Sequence, residues 1–413
     1  MNGSRLIRST PGAALALLLA LAAGAGAEIP SPKNGRSRAL FPALLRAADG
    51  PDEPGAAPSN KSGSGMSKEQ PKSSFDLRMS GIFALRFEYD DNIIHYSDED
   101  LLIFTTQPSF GKFSITQAGD WIIRPRLDLT AETKALTGKD LEAQLRLTSW
   151  RYVENSIKSN ESYQLRLKHP GFGRDNFQLT FYHAPLSYIR NFRDRAPFTS
   201  RAAPLDYTDF SYTSTSITLG YWRRLSSSFD GKLEVKHSWR FFNQAFMEND
   251  TWEWRAGGYI TWRAVGPLRI TGEYDYSYAD ARGADSVNEE RALSDDSDPS
   301  YERDSYGLRF SLRFRKGFLS LNDISMGGEY QIYYFTSEKR PEEDPLHVGR
   351  QDNVYRVEIT GGTRPVLGPA ALEGGYRYTK RTSTAVEVAA GGDIGEEKDY
   401  TDNRAWFGIE IPF

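Results

Sequence analysis

Residues 75–89, Phe-Asp-Leu-Arg-Met-Ser-Gly-Ile-Phe-Ala-Leu-Arg-Phe-Glu-Tyr, decide how the rest of the chain is read. Phe75, Leu77, Met79, Gly81, Phe83, Leu85, Phe87 and Tyr89 share one parity, and Asp76, Arg78, Ser80, Arg86 and Glu88 share the other. Successive side chains of a strand point to opposite faces, so this stretch is a strand with one apolar and one charged face. The alternation returns at residues 121–131, 141–147, 163–167, 177–181, 217–221, 233–241, 252–262, 268–278, 306–314, 326–334, 355–359, 372–378 and 405–413. These runs predict fourteen strands. Many are about ten residues long, the span that a tilted membrane strand needs.

The connections sort by length. Residues 134–139, 169–174, 224–231, 263–267, 316–323 and 363–369 are tight, and several carry the Gly or Pro that turns require. The intervening ones, 90–118, 184–209, 279–303, 337–352 and 381–400, are longer and polar, with shorter exceptions at 154–160 and 243–250. Short turns on one rim and long loops on the other predict an all-β, antiparallel transmembrane barrel with short periplasmic turns, long extracellular loops and both termini in the periplasm. A sandwich or propeller has no reason to sort its loops in this way.

The two faces agree with this expectation. The apolar parity often ends in Tyr, Trp or Phe near strand termini, as an interfacial girdle does. In a barrel the charged parity turns inward. Arg124, Arg126, Asp128, Arg146, Arg255, Glu273, Arg309, Arg313, Glu329, Arg356 and Arg377 are therefore the candidate lumen-lining residues, more of them basic than acidic.

The segment before the first strand divides in two. Arg5 and Arg8 precede an apolar run at 13–23 that is too short to span a bilayer, and Ala25-Gly26-Ala27 has the small-x-small form of a signal-peptidase site. Residues 1–27 are thus expected to be a signal peptide. Residues 28–74 are rich in Pro, Gly, Ser, Ala and Lys and cannot bury enough apolar surface to offset their ordering entropy. They are expected to form a disordered periplasmic linker, with one weakly amphipathic stretch at 39–48, ahead of a barrel over 75–413. The sequence has no cysteine, which excludes disulfides, thiol catalysis, cysteine metal sites and a lipoprotein anchor. A formal net charge of -4 argues against a nucleic-acid partner.

The chain ends Trp406-Phe407-Gly408-Ile409-Glu410-Ile411-Pro412-Phe413. Phe413, with Ile411 two residues before it and Gly408 five before, resembles the C-terminal signature of Gram-negative outer-membrane barrels. Trp406, where the signature has a polar residue, and Pro412 depart from it. The resemblance implies recognition by the barrel assembly machinery, with outer-membrane lipid and lipopolysaccharide as surroundings. A second stretch, Phe87-Glu88-Tyr89-Asp90-Asp91-Asn92-Ile93, is similar to the first turn of barrels associated with exopolysaccharide or surface-protein export, which would make export-system proteins partners. Asp and Asn are also ordinary turn formers.

Residues that could carry chemistry have plainer readings. His95, His169, His183, His237 and His347 lack the context of a barrel phospholipase, and Ser238 points to the opposite face from His237. Asp128 and Glu132 could act as an acid/base pair but lie among arginines. No enzyme activity and no cofactor are expected. Asp98-Glu99-Asp100 and Asp295-Asp296-Ser297-Asp298 raise the question of Ca²⁺ without a spaced ligand loop, so no metal is expected. Arg190, Arg193, Arg195 and Arg201 make the 184–209 connection basic, suited to constricting the lumen, to meeting lipopolysaccharide, or simply to solvent. The expected function is an outer-membrane channel or export-associated pore for charged or sugar-like solutes. The alternatives are a non-transporting accessory barrel of an export system and a lipid-modifying enzyme.

Overall fold

A computed structural model describes residues 77–107, 113–134, 140–171, 175–193, 207–283, 298–318, 320–341, 344, 346–366, 368–385 and 398–413. The expected signal peptide and linker lie outside the described residues, as do Arg195, Arg201 and Asp295-Asp296-Ser297. The strands are β1 (Leu77–Asp90), β2 (Asp120–Lys134), β3 (Asp140–Tyr152), β4 (Asn160–Pro170), β5 (Asp175–Arg193), β6 (Tyr207–Arg224) and β7 (Phe229–Phe242). They continue as β8 (Thr251–Arg263), β9 (Leu268–Ala281), β10 (Tyr301–Phe318), β11 (Leu321–Phe335), β12 (Gln351–Thr363), β13 (Ala371–Thr384) and β14 (Tyr400–Pro412). Each pairs antiparallel with its sequence neighbours, and β1 pairs with β14, so fourteen strands form a closed barrel. Closure leaves no unpaired edge, which a membrane-spanning sheet requires.

Parity sets which face each residue takes. Leu145, Leu165, Leu219, Val235, Ile260, Leu308, Phe310, Val357 and Ile359 are exposed on the outside. Glu88, Asp90, Asp128, Glu253 and Asp275, on the other parity, are buried. Exposed aliphatic residues outside and buried carboxylates inside invert a soluble protein and fit a lipid-facing wall. Aromatic side chains band both margins of the aliphatic zone. Tyr89 meets Trp121 at 5.3 Å near the long-loop rim. At the short-turn rim Phe177 meets Tyr221 at 5.3 Å and Phe229 meets Trp262 at 6.3 Å.

The short connections are those from β2 to β3, β4 to β5, β6 to β7, β8 to β9, β10 to β11 and β12 to β13, close to expectation. Gly266 has φ +57 in one of them, a conformation that favours glycine. One boundary is corrected. Ala184-Pro185-Leu186 reads as the end of a strand, but β5 absorbs it as a bulge against β6 and continues to Arg193. Proline cannot donate to a ladder, and a bulge is where a strand tolerates it. Arg190 and Arg193 therefore belong to a strand rather than to a basic loop.

Candidate functional site: the charged lumen and its inward loop

Within the barrel the side chains form paired charges that follow the strand register. Asp128 on β2 lies opposite Arg146 on β3, whose Nε donates to it at 2.6 Å, and Arg126 Nε approaches from the other side at 3.3 Å. Arg126 also bridges the closure seam to Glu410 on β14 at 2.6 Å. Glu88 on β1 receives Arg124 at 3.4 Å and Arg404 at 3.1 Å, and Arg404 reaches on to Asp90. Farther round, Arg255 stands 3.7 Å from Asp275, which accepts from Arg303 at 2.9 Å, while Arg240 donates to Glu253 at 2.9 Å. Arg356 donates to Glu329 at 2.7 Å and Arg377 to Glu358 at 2.8 Å. Arg309 lies with Glu273, Glu329 and Arg356 around a recess where Gly327 and Gly328 leave room. Arg313, exposed near the short-turn rim, stands opposite Asp323 in register.

In most of these pairs the carboxylate lies deeper and the guanidinium over it. Side-chain exposure is 3% for Asp128 against 19% for Arg146, and 2% for Glu88 against 22% for Arg404. Glu253 at 8% lies beneath Arg240 at 34%. The order reverses toward the short-turn rim, where Glu410 is 34% exposed and Arg126 17%. The short Asp or Glu side chain stays at the wall and the long Arg side chain lies along it, so solvent in the lumen meets mostly cationic groups.

Sequence reasoning left Arg404, Arg303, Arg240 and Glu253 out of the candidate set. Arg404 and Arg303 precede the apolar runs that begin at Ala405 and Tyr306, because β14 and β10 extend beyond the alternating stretch. All four nonetheless share the lumen parity, the signal that could have found them.

The connection from β1 to β2 folds inward. It holds a helix, α1 (Asp98–Thr106), capped by Ser97, whose side chain accepts from Asp100 N. Asp98, Glu99 and Asp100 form the first turn of α1, where the helix dipole favours negative charge. Ile93, Ile94, Tyr96 and Ile115 form a buried cluster with Tyr188 of β5, and Leu101, Phe104, Phe113 and Tyr152 of β3 pack against it. Arg190 donates to the carbonyls of Ile94 at 3.2 Å and His95 at 3.3 Å, and its guanidinium covers the Tyr96 ring at 5.4 Å. Lys158 donates to Tyr188 O at 3.2 Å, and burial pushes its ammonium down to about 8. On the other flank His95 stacks on Tyr400 at 4.5 Å and Asn92 donates to Thr401 O. The loop thus runs inside the wall from β14 round to β5.

His237 faces outward among Trp239, Trp252 and Trp254, with ring centroids at 4.3, 5.9 and 4.1 Å. Ser238 is buried on the lumen side, so the two side chains do not form a nucleophile–base pair. Asp298, with Asp344, instead organises the outer loops: Asp298 accepts from Ser300 N and Oγ, and its own N–H donates to Asp344 at 2.9 Å.

At the closing seam Phe413 and Gly81 exchange backbone hydrogen bonds of 2.9 Å. Ile411 stands opposite Phe83 and Gly408 opposite Arg86. A Cβ at Gly408 would lie 3.0 Å from Leu85 O and 3.1 Å from Glu373 Oε1, so a side chain has little room there.

A closed antiparallel barrel, apolar outside and charged within, defines a membrane β-barrel protein of the outer-membrane type. No protein-family model matches the chain, and no curated protein matches it in sequence. Solved structures similar to it include a bacterial polysaccharide outer membrane secretin, 9% identical, covering 80% of this chain and 98% of that one at TM-score 0.40. The anion-selective porin from Comamonas acidovorans is 10% identical, with 82% and 100% covered at TM-score 0.37. The outer membrane channel DcaP of Acinetobacter baumannii is 12% identical, with 84% and 99% covered at TM-score 0.41. Likeness at this level carries no functional information about the present chain.

Proposed function

We propose that this protein is an outer-membrane channel for small negatively charged solutes, acidic sugars among them. The observation that carries this reading is the layering of the lumen wall, with guanidinium groups over buried carboxylates at Asp128, Glu88 and Glu253. A solute passing such a wall meets arginine forks before it meets carboxylates. Arginine pairs bidentately with carboxylate and phosphate oxygens and stacks on flat rings. Fourteen strands give a wider lumen than eight, which side chains alone can fill. The terminal Gly408, Ile411 and Phe413 support insertion by the barrel assembly machinery, with lipid and lipopolysaccharide outside. No acid/base or nucleophilic pair is part of this reading.

A second reading has a specific observation behind it. The inward β1–β2 loop presents a packed apolar cluster rather than a polar rim, which suits a closed accessory barrel of an export system. Single-channel recording in planar bilayers separates the two. Stable open steps with the purified, folded protein support the channel, and a silent bilayer supports the accessory barrel.

A further inference from the structure

The carboxylates of Asp90, Asp91 and Asp402 bring one oxygen each to within 4.8 Å of one another, where the first strand leaves the barrel beside the last. Asp90 and Asp402 are buried, at 0% and 3% exposure. Like charges this close and this dry repel unless something neutralises them.

The surrounding hydrogen bonds neutralise only part of the cluster. Asp90 accepts from Asn92 N at 3.0 Å and pairs with Arg404. Asp91 accepts from Asn403 N at 2.8 Å and from Asn403 Nδ2 at 2.7 Å. Asp402 is different. Its side chain hydrogen-bonds the Asp90 carboxyl group, its Oδ1 is buried without a partner, and its Oδ2 lies 3.9 Å from the nearest imidazole nitrogen of His95, beyond hydrogen-bond reach. A buried carboxylate oxygen without a donor, beside two other carboxylates, is a site that wants a cation.

Glu88 and Asp120, which pairs with Asp90 in register, add carboxylates beside the cluster, and Arg124, Arg404 and Lys158 lie near them.

We propose that Asp90, Asp91 and Asp402 hold one Ca²⁺ ion at the extracellular end of the β1–β14 seam. The donors are hard carboxylate oxygens from both closing strands and the turn, which suits Ca²⁺ better than a nitrogen- or sulfur-seeking metal. Asp91 is half-exposed, so the ion enters past it. The ion ties the start of the inward loop to β14, so the seam and the loop are fixed by one ligand.

The test is calorimetric titration of CaCl2 into the full-length folded barrel in detergent after chelator treatment, alongside Asp402→Asn and Asp98→Asn. One site per barrel is expected, with a dissociation constant of about 0.1–1 mM, as for extracellular calcium modules. Asp402→Asn, close in shape to the native residue, should lose the site. Asp98→Asn, which alters an exposed acid of α1, should keep it. A wild-type barrel that takes up no Ca²⁺ at about 10 mM, ten times the upper value, overturns the proposal, because Asp402 is then neutralised by a proton. Binding unchanged in Asp402→Asn overturns it equally. The wild-type titration decides even where Asp402→Asn fails to fold.

Discussion

Phe413 and Gly81 pair at the end of the β1–β14 ladder that closes the barrel. Each donates its backbone N–H to the other's carbonyl at 2.9 Å, and a Cβ at position 81 would meet the Phe413 ring at 2.3 Å. The ring covers the bare glycine of the first strand, so the terminal aromatic acts as a cap on the seam. Removing Phe413 is expected to cost both hydrogen bonds, about 0.5–1.5 kcal/mol each, and to lower the heat-modifiable folded form in the outer membrane. Gly81→Ala is expected to have a smaller effect, because the exposed ring can swing aside. Equal yields for all three proteins on semi-native gels would remove this role.

Leu308 and Arg309 test the face assignment, being adjacent on β10 with opposite directions. Leu308 is exposed on the lipid side, and Arg309 lines the lumen recess with Glu273 and Arg356. Leu308→Arg should destabilise the barrel by about 2–4 kcal/mol near the bilayer midplane. Arg309→Leu should cost less, since the lumen tolerates the change. Urea unfolding in lipid vesicles gives both values, and the reverse ranking contradicts the orientation.

The strand count, the turn positions and the inward parity were legible because the period-2 pattern reports faces directly. Strand ends were less legible. Arg404 and Arg303 stand where strands rise past the lipid, so the apolar residues that mark the pattern stop before the strand does. The pairing of Arg126 with Glu410 depends on closure between the two ends of the sheet, which no local pattern encodes. The inward loop was missed for a related reason. Ile93, Ile94 and Tyr96 follow a turn motif, and the cluster they form is completed by Tyr152 and Tyr188, distant in sequence.

Arg190 is the tether of that loop. It is the donor to the carbonyls of Ile94 and His95 and the cation over Tyr96. Arg190→Ala leaves two part-buried carbonyls without this partner, a loss of up to about 1–3 kcal/mol each, set against a loop that can reopen to water. The expected result is a folded barrel with larger and noisier conductance steps. Conductance identical to wild type would mean that the loop does not limit the path.

His347 is expected to make the outer loops pH-sensitive. Its Nδ1 lies 2.9 Å from Asp344 Oδ1, its ring packs on Phe335 at 5.3 Å, and Arg350 and Lys398 add positive charge nearby. Burial lowers its pKa despite Asp344, so the folded value lies below the unfolded one. The unfolded loop then takes up a proton first as pH falls. Stability is fully present above about 6.5, the ordinary histidine value, and is lost progressively below it. Hydrogen exchange at the amides of Val348 and Arg350, which bond to Asp344 O and His347 O, should quicken between about pH 7 and 5 after correction for intrinsic rates. His347→Gln should abolish that dependence, and a wild-type profile without it would refute the assignment.

Arg124 and Arg126 offer the sharpest test of selectivity, because their carboxylates each keep another partner or reach solvent. Replacing both with Gln leaves Glu88 with Arg404 at 3.1 Å and Asp128 with Arg146 at 2.6 Å, while Glu410 is already 34% exposed. Folding should therefore survive. The lumen loses two cations and keeps every carboxylate, so its field shifts toward cations. The reversal potential in a salt gradient reads this directly. Wild type is expected to prefer anions mildly, and the preference should weaken as salt rises, since screening confines each charge to about 10 Å at 0.1 M. The double variant should move toward cation preference by an amount that is largest at low salt. An unchanged reversal potential would place both arginines off the conducting path, and a folded barrel that never conducts would favour the accessory role.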